Sequence, residues 1–323
     1  MVEQLGARLP EDVLWDFLRG ALMTRALAIA ADLGIAGSLV DGPRRVDELA
    51  RETGADPDRL RRVLRALASD GMFEEVEPGL FANTEASAML AGADGWGDFT
   101  HLFGGVWYRA VGALEATAGA PAFQQVFGAE FWSWLAEHPD ERAAFDRAMV
   151  QNWQVRAERL STIEWRGDET VVDVGGGNGS MLLALLQQQP RLRGIVLDLP
   201  ETVRDEAALA EHRIAFVAGS FFEGVPAGDV YLLSTILHDW DDEPAAAILH
   251  TLHAGAPDHA RLIVIDAVVE PGNEPDGAKW LDLLLLATFA GRERDEAQWR
   301  ALLDETGWEP VRLTDGLIEA RRR

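Results

Sequence analysis

The chain contains no cysteine, which excludes disulfide cross-links, thiolate nucleophiles and cysteine-ligated metal centres. No uninterrupted apolar run approaches the ~20 residues a bilayer-spanning helix needs, so a soluble protein with no membrane association is expected. A basic stretch followed by an apolar core is missing from the N-terminus, which carries Glu3, Glu11 and Asp12 instead. No secretory signal is therefore expected, and the cytoplasm is the default location. Positive charge is scarce: 29 Lys and Arg stand against 54 Asp and Glu, a net charge of −25. Such a field repels phosphate backbones, so a small neutral or cationic partner fits better than nucleic acid. What is present is a 323-residue chain that is 48% apolar, enough for two domains of ordinary size.

The N-terminal pattern is helical over residues 12–40, 46–54 and 58–71, with apolar residues at three- and four-residue spacing. The stretch "MFEEVEPGLFANT", 72–84, predicts a hairpin turning at Pro78 and Gly79. Helix, turn, helix and hairpin in that order suggest a winged helix, with Arg59, Arg61, Arg62 and Arg65 on the would-be recognition helix. Asp56, Asp58 and Asp70 flank that helix and the hairpin carries Glu74, Glu75 and Glu77, which argues against DNA. Residues 96–160 read as helical and aromatic. Phe99, Phe103 and Trp107 recur every four residues, placing them on one helical face. Packing between helices explains any single ring; the cluster as a whole also suits the wall of an apolar pocket.

From residue 170 strands alternate with helices, at 170–174, 195–199, 214–218, 230–235 and 261–269, as in a mostly parallel sheet covered on both faces. Two further strands, 311–314 and 317–321, are separated by only two residues and must pair antiparallel. The first strand runs into "VVDVGGGNG", 171–179. A Walker loop is excluded because no lysine followed by serine or threonine closes it. A dinucleotide fingerprint is weakened by Leu182 in place of its third small residue. Asp173 sets a carboxylate where a diphosphate is repelled and a cation held. Asp198, ending the next strand in "IVLDLP", suits the hydroxyls of a ribose. A ribose-containing, cationic ligand without a phosphate clamp is expected, and S-adenosylmethionine meets all three conditions.

With "GSFF" (219–222), "LHDWDDE" (237–243) and "GRERDEAQW" (291–299), these motifs resemble the metal-independent, S-adenosylmethionine-dependent O-methyltransferases of plant phenolic and bacterial natural-product metabolism. The resemblance implies an α/β fold: a class I methyltransferase, Rossmann-like sheet with a terminal antiparallel strand pair, plus a mainly helical winged-helix N-terminal domain. It implies a homodimerisation domain over 1–95, a helical connection over 96–165 contributing to the substrate pocket, and an S-adenosylmethionine-binding catalytic domain over 166–323. Carried over by residue, Gly175 and Gly177 lie against the methionine portion, Asp198 holds the ribose and Phe221 lies along the adenine. Trp240 helps to wall the cofactor, and Asp173 and Ser234 join that site. His238 matches the catalytic histidine, with Asp266 and Glu293 as its flanking acids. Ser220 stands where the family commonly has an acid, and Trp153 follows Met149 where smaller residues are usual. Phe103, Trp107, Met149, Trp153 and Asp282, the last in "KWLDLLLLATF" (279–289), are the expected substrate contacts.

Apart from the resemblance, His238 follows an apolar strand at the end of the sheet where open α/β folds bind ligands. Its acidic neighbours Asp239, Asp241, Asp242 and Glu243 suit a helix start; adjacent residues on such a turn seldom converge on a metal, and no metal is expected. His250, His253 and His259 lack a fourth zinc ligand. The expected activity is methyl transfer from S-adenosylmethionine to a hydroxyl of a phenolic or polyketide-like compound, with His238 as general base. Two alternatives stay open at this level: a nonmethylating reaction on the same fold and cofactor, and a winged-helix DNA-binding regulator.

Overall fold

The computed structural model describes residues 9–116, 119–149, 153–200, 202, 213–314 and 316–323. The chain divides into two compact units, one of Met1–Arg109 with Leu135–Gln151, the other of Ala110–Trp134 with Asn152–Arg323. Residues 96–165 thus contribute to both.

In the first unit the helix Pro10–Asp32 opens on a proline, with Glu11 and Asp12 at the positive end of its dipole. A two-residue strand β1, Arg44–Arg45, precedes the helix Val46–Thr53. The helix Pro57–Ser69 starts at Asp56, whose carboxylate accepts from the Arg59 N–H. Strands β2, Phe73–Glu77, and β3, Leu80–Asn83, form the expected hairpin. β1 pairs with β3 as a third strand, too short to register as a periodic pattern. Leu49, Leu60, Leu64, Phe73 and Phe81 pack as the core of this winged helix. The long first helix leaves large apolar side chains in solvent, among them Leu14, Trp15, Phe17, Leu18 and Leu22, the last 69% exposed. The helical face expected for Phe99, Phe103 and Trp107 is interrupted between helices Trp96–Gly104 and Val106–Val111. Gly104 lies so close to the first helix that a Cβ there would sit 2.2 Å from that of Ala28. The rings still meet, Phe99 lying 5.6 Å from Trp107 edge to face.

The second unit is built on a seven-stranded sheet. Strands β4 (Thr170–Val174), β5 (Arg193–Asp198), β6 (Ile214–Ala218), β7 (Val230–Ser234) and β8 (Arg261–Ile265) are parallel. β9 (Trp308–Thr314) and β10 (Leu317–Arg322) are antiparallel, in the order β6-β5-β4-β7-β8-β10-β9. Asp315 of the closing turn lies outside the described residues. All five residues of β7 but Ser234 are buried, as are the last four of β4 and of β8. This is the near-continuous burial expected of central parallel strands covered on both faces. One face packs against Leu249, Leu252 and Trp299, the other against Leu182, Leu185 and Leu186. Chain order runs outward in both directions from the β4–β7 pair, which makes the carboxyl ends of these two strands the topological switch point. Among the described residues no helix is long and apolar enough to cross a membrane.

Candidate active site

The glycine turn leaves β4 at the switch point. Gly175 (φ +71°) and Gly177 (φ +58°) occupy left-handed backbone that side chains disfavour. A Cβ on Gly175 would stand 2.5 Å from Ile236 Cδ1, whereas nothing lies within 4 Å of one built on Gly177. The turn is thus tight on one side and open on the other. Asp198, at the end of β5, is held from below: its Oδ2 accepts from Gly177 N–H at 2.8 Å and its Oδ1 from Leu199 N–H at 2.7 Å. Each oxygen retains acceptor capacity for a ligand hydroxyl. Asp173 is buried and its Oδ2 has no hydrogen-bond partner. Burial and the neighbouring Asp198 push its carboxyl up to about 7, against the pull of Arg156. Such a group gains from a cation placed beside it. Ser234 Oγ, at the end of β7, is also buried without a partner. Phe221, Phe222 and Trp240 form an aromatic corner, with Phe222 5.0 Å and Phe221 6.2 Å from Trp240. Ser220 Oγ accepts from Phe222 N–H within this corner. Open backbone, a prepositioned carboxylate and two buried polar atoms lacking partners fit a ribose-containing cation.

Across the switch point, the chain leaves β7 through Thr235, whose φ of +55° is strained for a β-branched residue. Its N–H is held by Ile265 O at 3.0 Å. The following 3₁₀ turn, Leu237–Asp239, carries His238. Its Nδ1 lies 2.9 Å from Glu293 Oε1, whose side chain is fully buried, and its Nε2 lies 3.5 Å from Asp239 Oδ1. Asp266 is buried with neither carboxylate oxygen hydrogen-bonded, so it acts on the imidazole through charge and not through contact. Burial disfavours the imidazolium, but Asp266, the Glu293 hydrogen bond and Asp239 outweigh it and push His238 up to about 10. The same desolvation raises Asp266 and Asp239 to about 7, with His238 opposing. Of the acids in the 239–243 run, Asp241 caps the helix Asp242–Gly255, and Asp242 and Glu243 fill its first turn. Asp239 instead faces the imidazole, a role that spacing does not distinguish from a helix start.

The expected substrate contacts are divided between the units. In the first, Phe103 borders an apolar cavity of about 410 Å³ with Leu27, Met72 and Phe99. Trp107 is buried against Phe99 and Phe145, and Met149 caps the helix Pro139–Ala148. In the second, Trp153 begins the helix Trp153–Leu160, and its side chain lies outside those described. Asp282 accepts from Glu293 N–H at 2.7 Å and, with Glu293 and Arg292, borders a polar cavity of about 420 Å³. Asp282 therefore braces the acid that holds His238. Sequence reasoning missed Ile236, which closes on Gly175, and Phe222; the doubled aromatic of "GSFF" was the available signal for the latter.

Comparison with known proteins agrees with the fold. An O-methyltransferase domain profile matches residues 107–309, and an O-methyltransferase dimerisation domain profile matches residues 15–92. The chain is 35% identical to the phenazine O-methyltransferase PhzM of Lysobacter antibioticus over 326 residues, covering 96% of this chain and 95% of that one. The crystal structure of LaPhzM superposes with a TM-score of 0.91 at 35% identity, over 98% of this chain and 100% of that one. An O-methyltransferase from neocarzinostatin biosynthesis, NcsB1, in complex with S-adenosyl-L-homocysteine and 1,4-dihydroxy-2-naphthoic acid, gives 0.81 at 30% identity over 98% and 100%. The chain belongs to the S-adenosylmethionine-dependent O-methyltransferases that carry an N-terminal dimerisation domain.

Proposed function

We propose that this enzyme methylates a hydroxyl of a flat aromatic natural product, with His238 accepting the proton, and that it works as a cytoplasmic homodimer. The observation that carries the reading is the buried Glu293–His238 pair, its histidine on the turn that follows β7, the strand beside that of the glycine turn. When bound, S-adenosylmethionine supplies a methyl group activated by positively charged sulfur. Asp173, Asp198 and Ser234 hold the cofactor, with Gly175, Gly177, Ser220, Phe221 and Trp240 shaping its cradle. Phenazine and dihydroxynaphthoic acid, named for two relatives, support an acceptor of this kind.

His238 does the proton work. With Nδ1–H donated to Glu293, the ring presents Nε2. A phenol of pKa ~10 gives up its proton to an ordinary imidazole of pKa ~6.5 at a deficit of ~5 kcal/mol. The surrounding acids lift His238 to about 10 and remove most of that deficit. The ring then carries a proton at neutral pH, and the reacting pair of imidazole and phenol holds one proton fewer than the resting pair. Turnover therefore rises with pH between about 7 and 9, and His238→Gln lowers it throughout that range.

The homodimer is supported by the dimerisation-domain match and by the apolar row left in solvent on the helix Pro10–Asp32. The deciding assay incubates the purified protein and S-adenosylmethionine labelled in its methyl group with a panel of hydroxylated aromatic compounds. A labelled O-methyl product, stoichiometric with S-adenosylhomocysteine, is expected. A compound altered without label while the cofactor survives would replace methylation with a nonmethylating reaction.

A further inference from the structure

Among the described residues Arg294 is the largest charged side chain to be wholly excluded from solvent. Burying a guanidinium is costly unless every donor direction is used. Here Nη1 donates to Leu237 O at 3.0 Å, Nη2 to Trp240 O at 2.9 Å and Nε to Asp242 Oδ1 at 3.0 Å, and the plane lies over Trp299. The two carbonyls bracket His238 and Asp239 on the chain. One opens and the other directly follows a short 3₁₀ turn entered through a strained residue, the kind of segment that holds one conformation only when its surroundings over-determine it.

The segment bearing Arg294 is tied to the same turn by its backbone. Arg292 N–H donates to His238 O at 2.9 Å. Gly291 lies so near that a Cβ there would stand 2.1 Å from His238 O. Between these anchors sits Glu293, bonded to His238 Nδ1. The two halves of the buried pair therefore come from separate segments; the Arg292 guanidinium joins them at the exposed end, 2.9 Å from Asp241 and from Asp242, and the buried Arg294 guanidinium clamps the turn itself.

We propose that Arg294 is a positioning residue for the reaction: its fork holds the His238 turn against the Glu293 segment and so sets the orientation of the imidazole. This rests on His238 being the proton acceptor. Two physical effects of removing Arg294 have opposite signs, which makes the proposal testable. Loss of a nearby cation by itself raises the pKa of His238. Loss of the Glu293 hydrogen bond lowers it.

The test follows the imidazoles of the full chain by ¹⁵N NMR titration, with His238 identified among the seven histidines by its disappearance in His238→Gln. In Arg294→Met the His238 pKa is expected to fall by about one unit or more, and its Nδ1 proton to lose the signature of a bond to Glu293. Circular dichroism and S-adenosylhomocysteine affinity by calorimetry remain within about twofold of the parent. Labelled-methyl turnover falls by ~10-fold or more with KM unchanged. Arg294→Lys keeps the charge but not the fork, so it shows the same fall and decides the matter if the Met variant does not fold. A His238 pKa that rises or stays constant in the folded variants, or a turnover loss that merely tracks the folded fraction, overturns the proposal. Should the pKa fall as expected while His238→Gln retains full turnover, Arg294 still positions the ring and it is the base assignment that fails.

Discussion

Asp173 and His238 are buried titratable groups displaced in the same direction for different reasons. Asp173 is raised to about 7 mainly by burial, so the unliganded fold favours its neutral form. Its ionisation therefore costs stability as pH rises from its usual 3.8 through about 7. Asp173→Asn is expected to raise the melting temperature of the unliganded protein by several degrees at pH 8, with the gap narrowing towards pH 5. Its S-adenosylmethionine affinity should fall at both. Scanning calorimetry with and without cofactor checks this, and a variant less stable than the parent at pH 8 would reject the reading. His238 is raised by its acids, so its contribution to stability is complete below its usual 6.5 and is lost as pH climbs through about 10. His238→Ala should leave cofactor affinity nearly unchanged and cut turnover by ~10² or more. Unchanged turnover with a phenolic acceptor would end the general-base assignment.

Turns, more than regular elements, bring the site together. β4 and β7 are adjacent and parallel, and the chain must leave each through left-handed backbone, at Gly175 and Thr235 respectively. The segment 291–294 then closes on the second turn, where Gly291 has no room for a side chain. Gly291→Ala should therefore push the Glu293 segment away from His238, lowering turnover by ~10-fold or more while S-adenosylhomocysteine affinity changes little. Parallel losses of turnover and cofactor affinity would indicate general disruption instead. The strands, the hairpin and the glycine turn were legible because period-two and period-3.6 burial and turn chemistry are local signals. The two-residue β1, the break after Gly104 and the 3₁₀ turn at His238 were not, because each depends on a partner far away in the chain.

On the scale of the whole molecule, the charge of −25 and the exposed apolar helix make opposite demands. The charge disfavours nonspecific association, whereas Leu14, Leu18 and Leu22, at 65–70% exposure, gain by being covered. The double variant Leu14→Glu, Leu18→Glu should convert the proposed homodimer to a monomer in sedimentation experiments; a dimer that persists would place the interface elsewhere. The arginines of the helix Pro57–Ser69 lie among acids, with Arg62 3.9 Å from Asp58, and no salt-sensitive binding to duplex DNA is expected. Anisotropy titration at low salt checks this.

By itself the sequence determined the α/β class and the winged-helix start, and it set the expectations of ribose and cation binding at the "VVDVGGGNG" and "IVLDLP" turns and of a histidine with two acids. The first three follow from periodicity and from residue types at short spacing; the histidine and its acids come from the family resemblance. Tertiary structure alone decided which acid touches the imidazole. Glu293 bonds it across 55 residues of chain, Asp239 faces its other nitrogen, and Asp266 remains without a hydrogen bond. The same holds for Arg294, whose charge finds its partners 52 to 57 residues away. Hydrogen bonds and desolvation depend on distances through space, and only the packed sheet with its returning segment sets those distances.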